Sequence, residues 1–149
     1  MAVDAVMIRA LAESDRAAWE PLWQGYLTFY EATLTDEQTE ITWNRLLDPA
    51  EPVFGLVAET DDGVKGLAHA LPHLSTWAEV GYLYLEDLFV APETRGLGLG
   101  RALIEDLYRI ADQRGISRVY WATKHDNPAR RLYDQLASES GFVQYRRSR

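Results

Sequence analysis

Val90-Ala91-Pro92-Glu93-Thr94-Arg95-Gly96-Leu97-Gly98-Leu99-Gly100-Arg101 sets three alternating glycines between a strand-like run and a helix-like one. Closely spaced glycines let successive main-chain N–H groups turn toward one anion, and the helix start adds its positive dipole end. The stretch therefore predicts a phosphate or pyrophosphate held by backbone. Two familiar nucleotide loops do not fit. A Walker-type loop requires Gly-Lys-Ser/Thr, and Gly100 is followed by Arg101 and Ala102. A Gly-x-Gly-x-x-Gly fingerprint puts Arg101 in the third slot from Gly96 and Leu103 from Gly98, so both frames fail.

Working outward, Val80 to Val90 is a long apolar run carrying Glu86 and Asp87, and reads as the strand entering the loop. Beyond the loop, Leu103, Leu107, Ile110 and Ala111 fall on one helical face, and Gly115 stops that helix. Val119 to Ala122 predicts a short strand. Asp126 or Asn127 then caps a helix with Pro128 at its first position, and Phe142-Val143-Gln144-Tyr145 predicts a final strand. Toward the N-terminus, Val53 to Ala58, the turn Asp61-Asp62-Gly63 and Val64 to Leu71 give a hairpin signal. A helix from Thr35 or Asp36 to about Leu47 precedes it. Before that, Val6 to Leu11 reads as a first strand. Ser14 and Asp15 offer caps for a helix whose face is Trp19, Leu22, Trp23, Tyr26 and Tyr30, with Pro21 set to kink it or mark a restart. The fold class is α/β (α+β): one domain over residues 1–149, its mixed central sheet flanked by helices.

Composition bounds what such a domain does. A length of 149 residues suits one core. No apolar run reaches the roughly 18 residues of a membrane span. Met1 to Asp15 carries Asp4, Glu13 and Asp15 and no leader-like pattern, so a cytoplasmic location is expected. With no cysteine, disulfides, thiolate metal sites and a cysteine nucleophile are excluded. His69, His73 and His125 lack metal-ligand spacing; polar or core roles are expected for them and no metal. The net charge of −8 divides unevenly: residues 1–92 hold four basic against sixteen acidic side chains, and residues 93–149 hold eleven against seven. An acidic half suits a cationic substrate and a basic half an anionic cofactor, while the overall charge argues against nucleic acid.

Arg95-Gly96-Leu97-Gly98-Leu99-Gly100 is similar to the Arg/Gln-x-x-Gly-x-Gly/Ala segment of the GNAT acetyltransferase superfamily. Asn127-Pro128-Ala129-Arg130-Arg131-Leu132-Tyr133, followed by Gly141-Phe142, resembles that family's second signature. Within the superfamily, Tyr84-Leu85-Glu86-Asp87-Leu88-Phe89-Val90 and Tyr30-Glu31 look like segments of diamine (spermidine/spermine) acetyltransferases. The resemblance implies a GNAT-like, mostly antiparallel sheet, acetyl-CoA as co-substrate and a homodimer. It also implies that the main chain at Phe89 and Val90 pairs with pantetheine, and that Gly96, Gly98, Gly100, Arg95 and Arg101 hold the pyrophosphate. Asn127 would bond pantetheine or its surrounding backbone, and Arg130 or Arg131 would meet nucleotide phosphates.

Acetyl transfer to an amine requires a neutral nucleophile, a stabilised oxyanion and a protonated leaving thiolate. An alkyl ammonium with a pKa of about 10.4 is neutral in roughly one molecule per thousand near pH 7, so a base must take its proton. Glu86, Asp87 or a water chain fills that role. Adjacent strand residues point to opposite faces, so both carboxylates reach one site only if the strand bulges there, as the resemblance implies. A bulge would also free amides near Leu88 and Phe89 for the oxyanion. Tyr133 is the candidate acid, by the family match and a phenol pKa near 10. Tyr30, Glu31 and Trp77 are candidates for lining an amine pocket. The resulting expectation is direct acetylation of a small, polyamine-like cation. Acetylation of a protein lysine or N-terminal amine is the alternative within enzymes, and a silent acyl-CoA-binding module the alternative outside them.

Overall fold

A computed structural model describes residues 5–149; Met1 to Asp4, the first part of the stretch read for a leader, lie outside the described residues. Five strands form one sheet in the order β1 (Met7–Ala10), β2 (Phe54–Thr60), β3 (Gly63–His73), β4 (Tyr82–Val90) and β5 (Val119–Tyr120). The first three pairings are antiparallel and β4–β5 is parallel, giving the expected mixed sheet. Helices α1 (Arg16–Phe29) and α2 (Asp36–Leu47) cover one face; α3 (Leu99–Arg114) covers the other, and α4 (Arg130–Leu136) follows β5.

Each face has its own core. On the α3 side, alternate residues of the strands (Leu56, Ala58, Ala68, Ala70, Leu83, Leu85) meet Leu103, Ile104, Leu107 and Ala111. On the other side Trp19, Leu22, Trp23 and Leu27 of α1 meet Trp43 and Leu46 of α2 and Leu67 of the sheet. Burying side chains of this size contributes about 1.5–3 kcal/mol each. Thr35 caps α2, its hydroxyl accepting from the Gln38 amide at 3.1 Å. Gly115, at φ 71°, closes α3 as its sequence position predicts.

The N-terminal cap of α1 works differently. The Asp15 carboxylate makes no cap bond to the helix; it accepts from the Ala12 amide and pairs with Arg9 at 2.8 Å, fastening a 3-10 turn over Glu13–Asp15 to β1. Helix α1 runs through Pro21 as one element, held by its buried tryptophan face. Three other expectations are corrected. Trp121 and Ala122 leave β5, which ends at Tyr120. Pro128 lies in a turn two residues before α4, because the Asn127 carboxamide accepts the Ala129 amide and makes a turn there first. Phe142 to Tyr145 form no strand: Phe142, Val143 and Tyr145 are exposed and pair with no strand of the sheet.

Gly81 opens β4 at φ 127°, where an added Cβ would sit 2.2 Å from the His73 carbonyl oxygen. Gly81→Ala should therefore cost about 3 kcal/mol and lower Tm by ~6–12 °C. A calorimetric scan within a degree of the parent would contradict this reading of the strand entry.

Candidate active site

The register of β3 and β4 carries the site. Asp87 lies opposite His69 and Leu85 opposite Ala70, so Glu86 is an extra residue with no partner on β3. Side-chain alternation slips by one at that point. Leu83 and Leu85 before it and Leu88 and Val90 after it all face α3, whereas Phe89 packs with the α1 core and Asp87 meets His69. The bulge thus turns both carboxylates toward the α1 face, the condition that acid–base work by this pair demands.

Around them the residues are mostly aromatic. Asp87 is buried, its Oδ2 2.9 Å from His69 Nδ1. The Tyr26 hydroxyl donates to the Glu86 carbonyl at 3.4 Å; burial, then Asp87, drives this phenol well above its ordinary range. Partial desolvation and the neighbouring Asp87 raise Glu86, while the Tyr84 hydroxyl and Arg146 pull it the other way. Burial, with Glu86 beside it, pushes the Tyr84 hydroxyl up to about 12. Tyr84 leans on Tyr120 at 4.9 Å, and Arg118 lies 4.2 Å over Tyr82.

Strands β4 and β5 pair only at Leu83–Val119 and Tyr84–Tyr120, and beyond that point they part. The Ala91 amide donates to Lys65 O on the β3 side. By strand alternation the main-chain groups of Leu88 and Val90 then face the opening, and those of Phe89 face β3. The opening leads to the glycine loop, where Gly96 and Gly98 adopt φ of 88° and 81°, and a Cβ on either would meet no protein atom within 4 Å. The amides of Leu99, Gly100 and Arg101 begin α3, where no helical carbonyl precedes them, and Gly98 supplies no side-chain cap. A concave run of amide donors at a helix start fits a diphosphate.

Tyr133 lies on α4 and packs against the α3-side core, as Val90 of β4 does. Its ring meets Trp121 edge-on at 5.4 Å, and burial, then Tyr30, pushes its hydroxyl up to about 12. Asn127 is committed to the protein: Nδ2 donates to Thr123 Oγ1 at 2.7 Å and to the Tyr30 hydroxyl at 3.4 Å, while Oδ1 accepts from Ala129. Arg101 turns along the helix surface to Gln135 and Glu105, and Arg130 binds the His125 carbonyl and Glu139. Arg95 is exposed and makes no ion pair among the described residues. Glu31 is exposed just past α1 at φ 55°, and Trp77 is 77% exposed on the β3–β4 connection. Neither touches the carboxylates among the described residues. His69, Tyr26, Tyr84 and Tyr120 escape the sequence reading, because only the strand register and the α1 packing show that they surround Glu86 and Asp87. Among the described residues no three His, Asp or Glu side chains are grouped to hold a metal ion, and no helix is long and apolar enough to cross a membrane.

A short β4–β5 pairing accompanies a bulged carboxylate strand and a glycine-rich helix start, the two features that the sequence resemblance implies for an acetyl-transfer fold. The Acetyltransferase (GNAT) family model matches residues 17–137. The D-amino-acid N-acetyltransferase HPA3 of Saccharomyces cerevisiae is 36% identical over 152 aligned positions, covering 99% of this chain and 94% of the yeast protein. The thialysine N-epsilon-acetyltransferase of Caenorhabditis elegans is 35% identical over 63% of this chain and 62% of its own length. The aminoglycoside acetyltransferase AAC(6')-Iy, solved with a CoA-based bisubstrate analog, superposes with a TM-score of 0.81 at 20% identity, covering 97% of this chain and 99% of that one. This chain belongs to the GNAT family of N-acetyltransferases.

Proposed function

We propose that this enzyme transfers the acetyl group of acetyl-CoA to the primary amine of a small ammonium compound, both substrates being bound together. The observation that carries the reading is the bulge at Glu86, which turns two carboxylates onto the face beside the open β4 edge and the glycine loop. The amides of Gly96, Gly98 and Gly100 and those starting α3 take the diphosphate, with Arg95 nearby. The main chain of Leu88 and Val90 lines pantetheine and the thioester oxygen, whereas that of Phe89, expected there from the sequence, is turned to β3. Arg101, Asn127 and Arg130 shape the surrounding walls through the bonds described above.

The chemistry divides between two sides of the opening. The substrate ammonium enters among Tyr84, Tyr26 and Tyr120, where ring faces and carboxylates favour a cation. Glu86 takes one ammonium proton, the amine nitrogen bonds the acetyl carbon, and the carbon–sulfur bond breaks. The Tyr133 hydroxyl gives its proton to the departing thiolate and regains one from the second N–H of the acetylated nitrogen, and Glu86 releases its proton to solvent. Glu86 must be ionised to act, and its raised pKa moves the acid limb of kcat/KM above the ordinary carboxylate value of about 4.3. Activity should fall as pH drops through that limb, and Glu86→Gln should abolish the limb along with most of the rate. A limb that persists unchanged in Glu86→Gln assigns the base elsewhere.

A second reading, an amino acid as acceptor, draws on Arg118 above Tyr82, a cation that suits a substrate carboxylate, and on the substrate of the yeast relative. Thiol release from acetyl-CoA, measured against polyamines, both enantiomers of several amino acids, thialysine, aminoglycosides and lysine peptides, separates these readings. Turnover of polyamines supports the first, turnover confined to amino acids the second, and turnover of peptides alone opposes both. We further propose a cytoplasmic homodimer of one-domain chains, for which the cysteine-free composition and the exposed Phe142, Val143 and Tyr145 are the support. Sedimentation at one-chain mass would contradict the dimer.

A further inference from the structure

We propose that Trp19 and His69 form a one-directional hydrogen-bond chain that locks His69 as its Nδ1–H tautomer and pins Asp87, making His69 a positioning residue for the carboxylate pair. The three groups are buried in line: Trp19 is 0% exposed, His69 2% and Asp87 8%. Trp19 Nε1 stands 3.0 Å from His69 Nε2, and His69 Nδ1 stands 2.9 Å from Asp87 Oδ2. An indole N–H only donates, so Nε2 must offer its lone pair. The imidazole proton is left on Nδ1, where it donates to the carboxylate. The tautomer follows from the identity of its neighbours.

The same geometry opposes a second proton on the ring, because an Nε2–H would meet the indole N–H donor to donor. Rotation of the imidazole is opposed too: Trp19 and Trp23 stand 5.9 and 5.3 Å from it, and Trp43 braces Trp19 at 4.9 Å. Asp87 therefore presents one engaged oxygen, held in place beside Glu86. His69 is not the proton acceptor in this arrangement; it holds the partner that keeps Glu86 basic. The catalytic consequence rests on the acetyl-transfer reading above, whereas the tautomer does not.

Two-bond 1H–15N correlation spectra of histidine-labelled protein at neutral pH test the lock directly. The expected pattern for His69 is a protonated Nδ1 and an unprotonated Nε2, lost as an exclusive state in Trp19→Phe. An Nε2–H tautomer in the parent, or an unchanged pattern in Trp19→Phe, overturns the lock. The positioning role is read from kinetics. His69→Phe, made also together with Trp19→Phe so that no indole donor is stranded, should lower kcat up to about a hundredfold with CoA affinity unchanged. His69→Asn, which keeps a donor toward Asp87, should recover part of that loss. Parent-like kcat in folded His69→Phe, or no recovery in His69→Asn, overturns the role. If the parent acetylated no amine, the functional reading would fall, and the spectra would still decide the lock.

Discussion

Tyr133→Phe is expected to lower kcat by about a hundredfold or more while leaving CoA affinity close to that of the parent. The substitution keeps the ring that packs on Trp121 and removes only the hydroxyl. The hydroxyl is pushed up to about 12, so it holds its proton through the whole neutral range. An acid must be protonated to act, so its contribution is lost only as pH rises through that value. No basic limb from Tyr133 should therefore appear in the kcat profile between pH 7 and 10. Steady-state kinetics beside a CoA titration separates the two halves of the expectation. Undiminished kcat would remove Tyr133 from the reaction.

Gly98→Val should reduce CoA affinity at least a hundredfold. At φ 81° a β-branched residue is strained, by about 1–3 kcal/mol, and its methyls would occupy the space through which the loop amides meet a diphosphate. An added Cβ meets no protein atom within 4 Å, so the fold should survive with a Tm lower by only several degrees. Loss of binding in a folded variant is the informative result. A calorimetric titration with parent-like affinity would place the diphosphate elsewhere.

The parts of this molecule legible in its sequence are those governed by local rules. Gly115 ends α3 and Thr35 starts α2 through backbone geometry that a few adjacent residues set. The glycine loop is local in the same sense. Residues in the site are partly so: Glu86 and Asp87 stand out as carboxylates inside an apolar strand, yet their shared face depends on the register against His69, eighteen residues away. The contacts of His69 are hidden from the sequence for the same reason, since its partners Trp19 and Asp87 come from two other elements. Phe142 to Tyr145 show the converse error. Apolar residues there carry strand propensity, but a strand exists only where another edge meets it. The resemblance implies Arg101 and Arg130 as phosphate ligands; in the structure Arg101 meets Gln135 and Glu105, and Arg130 meets Glu139 and the His125 carbonyl.

The central claim is that main-chain donors at the start of α3 and along the open edge of β4 hold coenzyme A so that its thioester reaches Glu86. Backbone 1H–15N spectra of the labelled protein titrated with CoA test it most directly. The account predicts that the largest shifts fall on the amides of Leu88, Val90, Gly96, Gly98, Gly100 and Arg101. Saturable binding that leaves those amides in place and moves another region would contradict it.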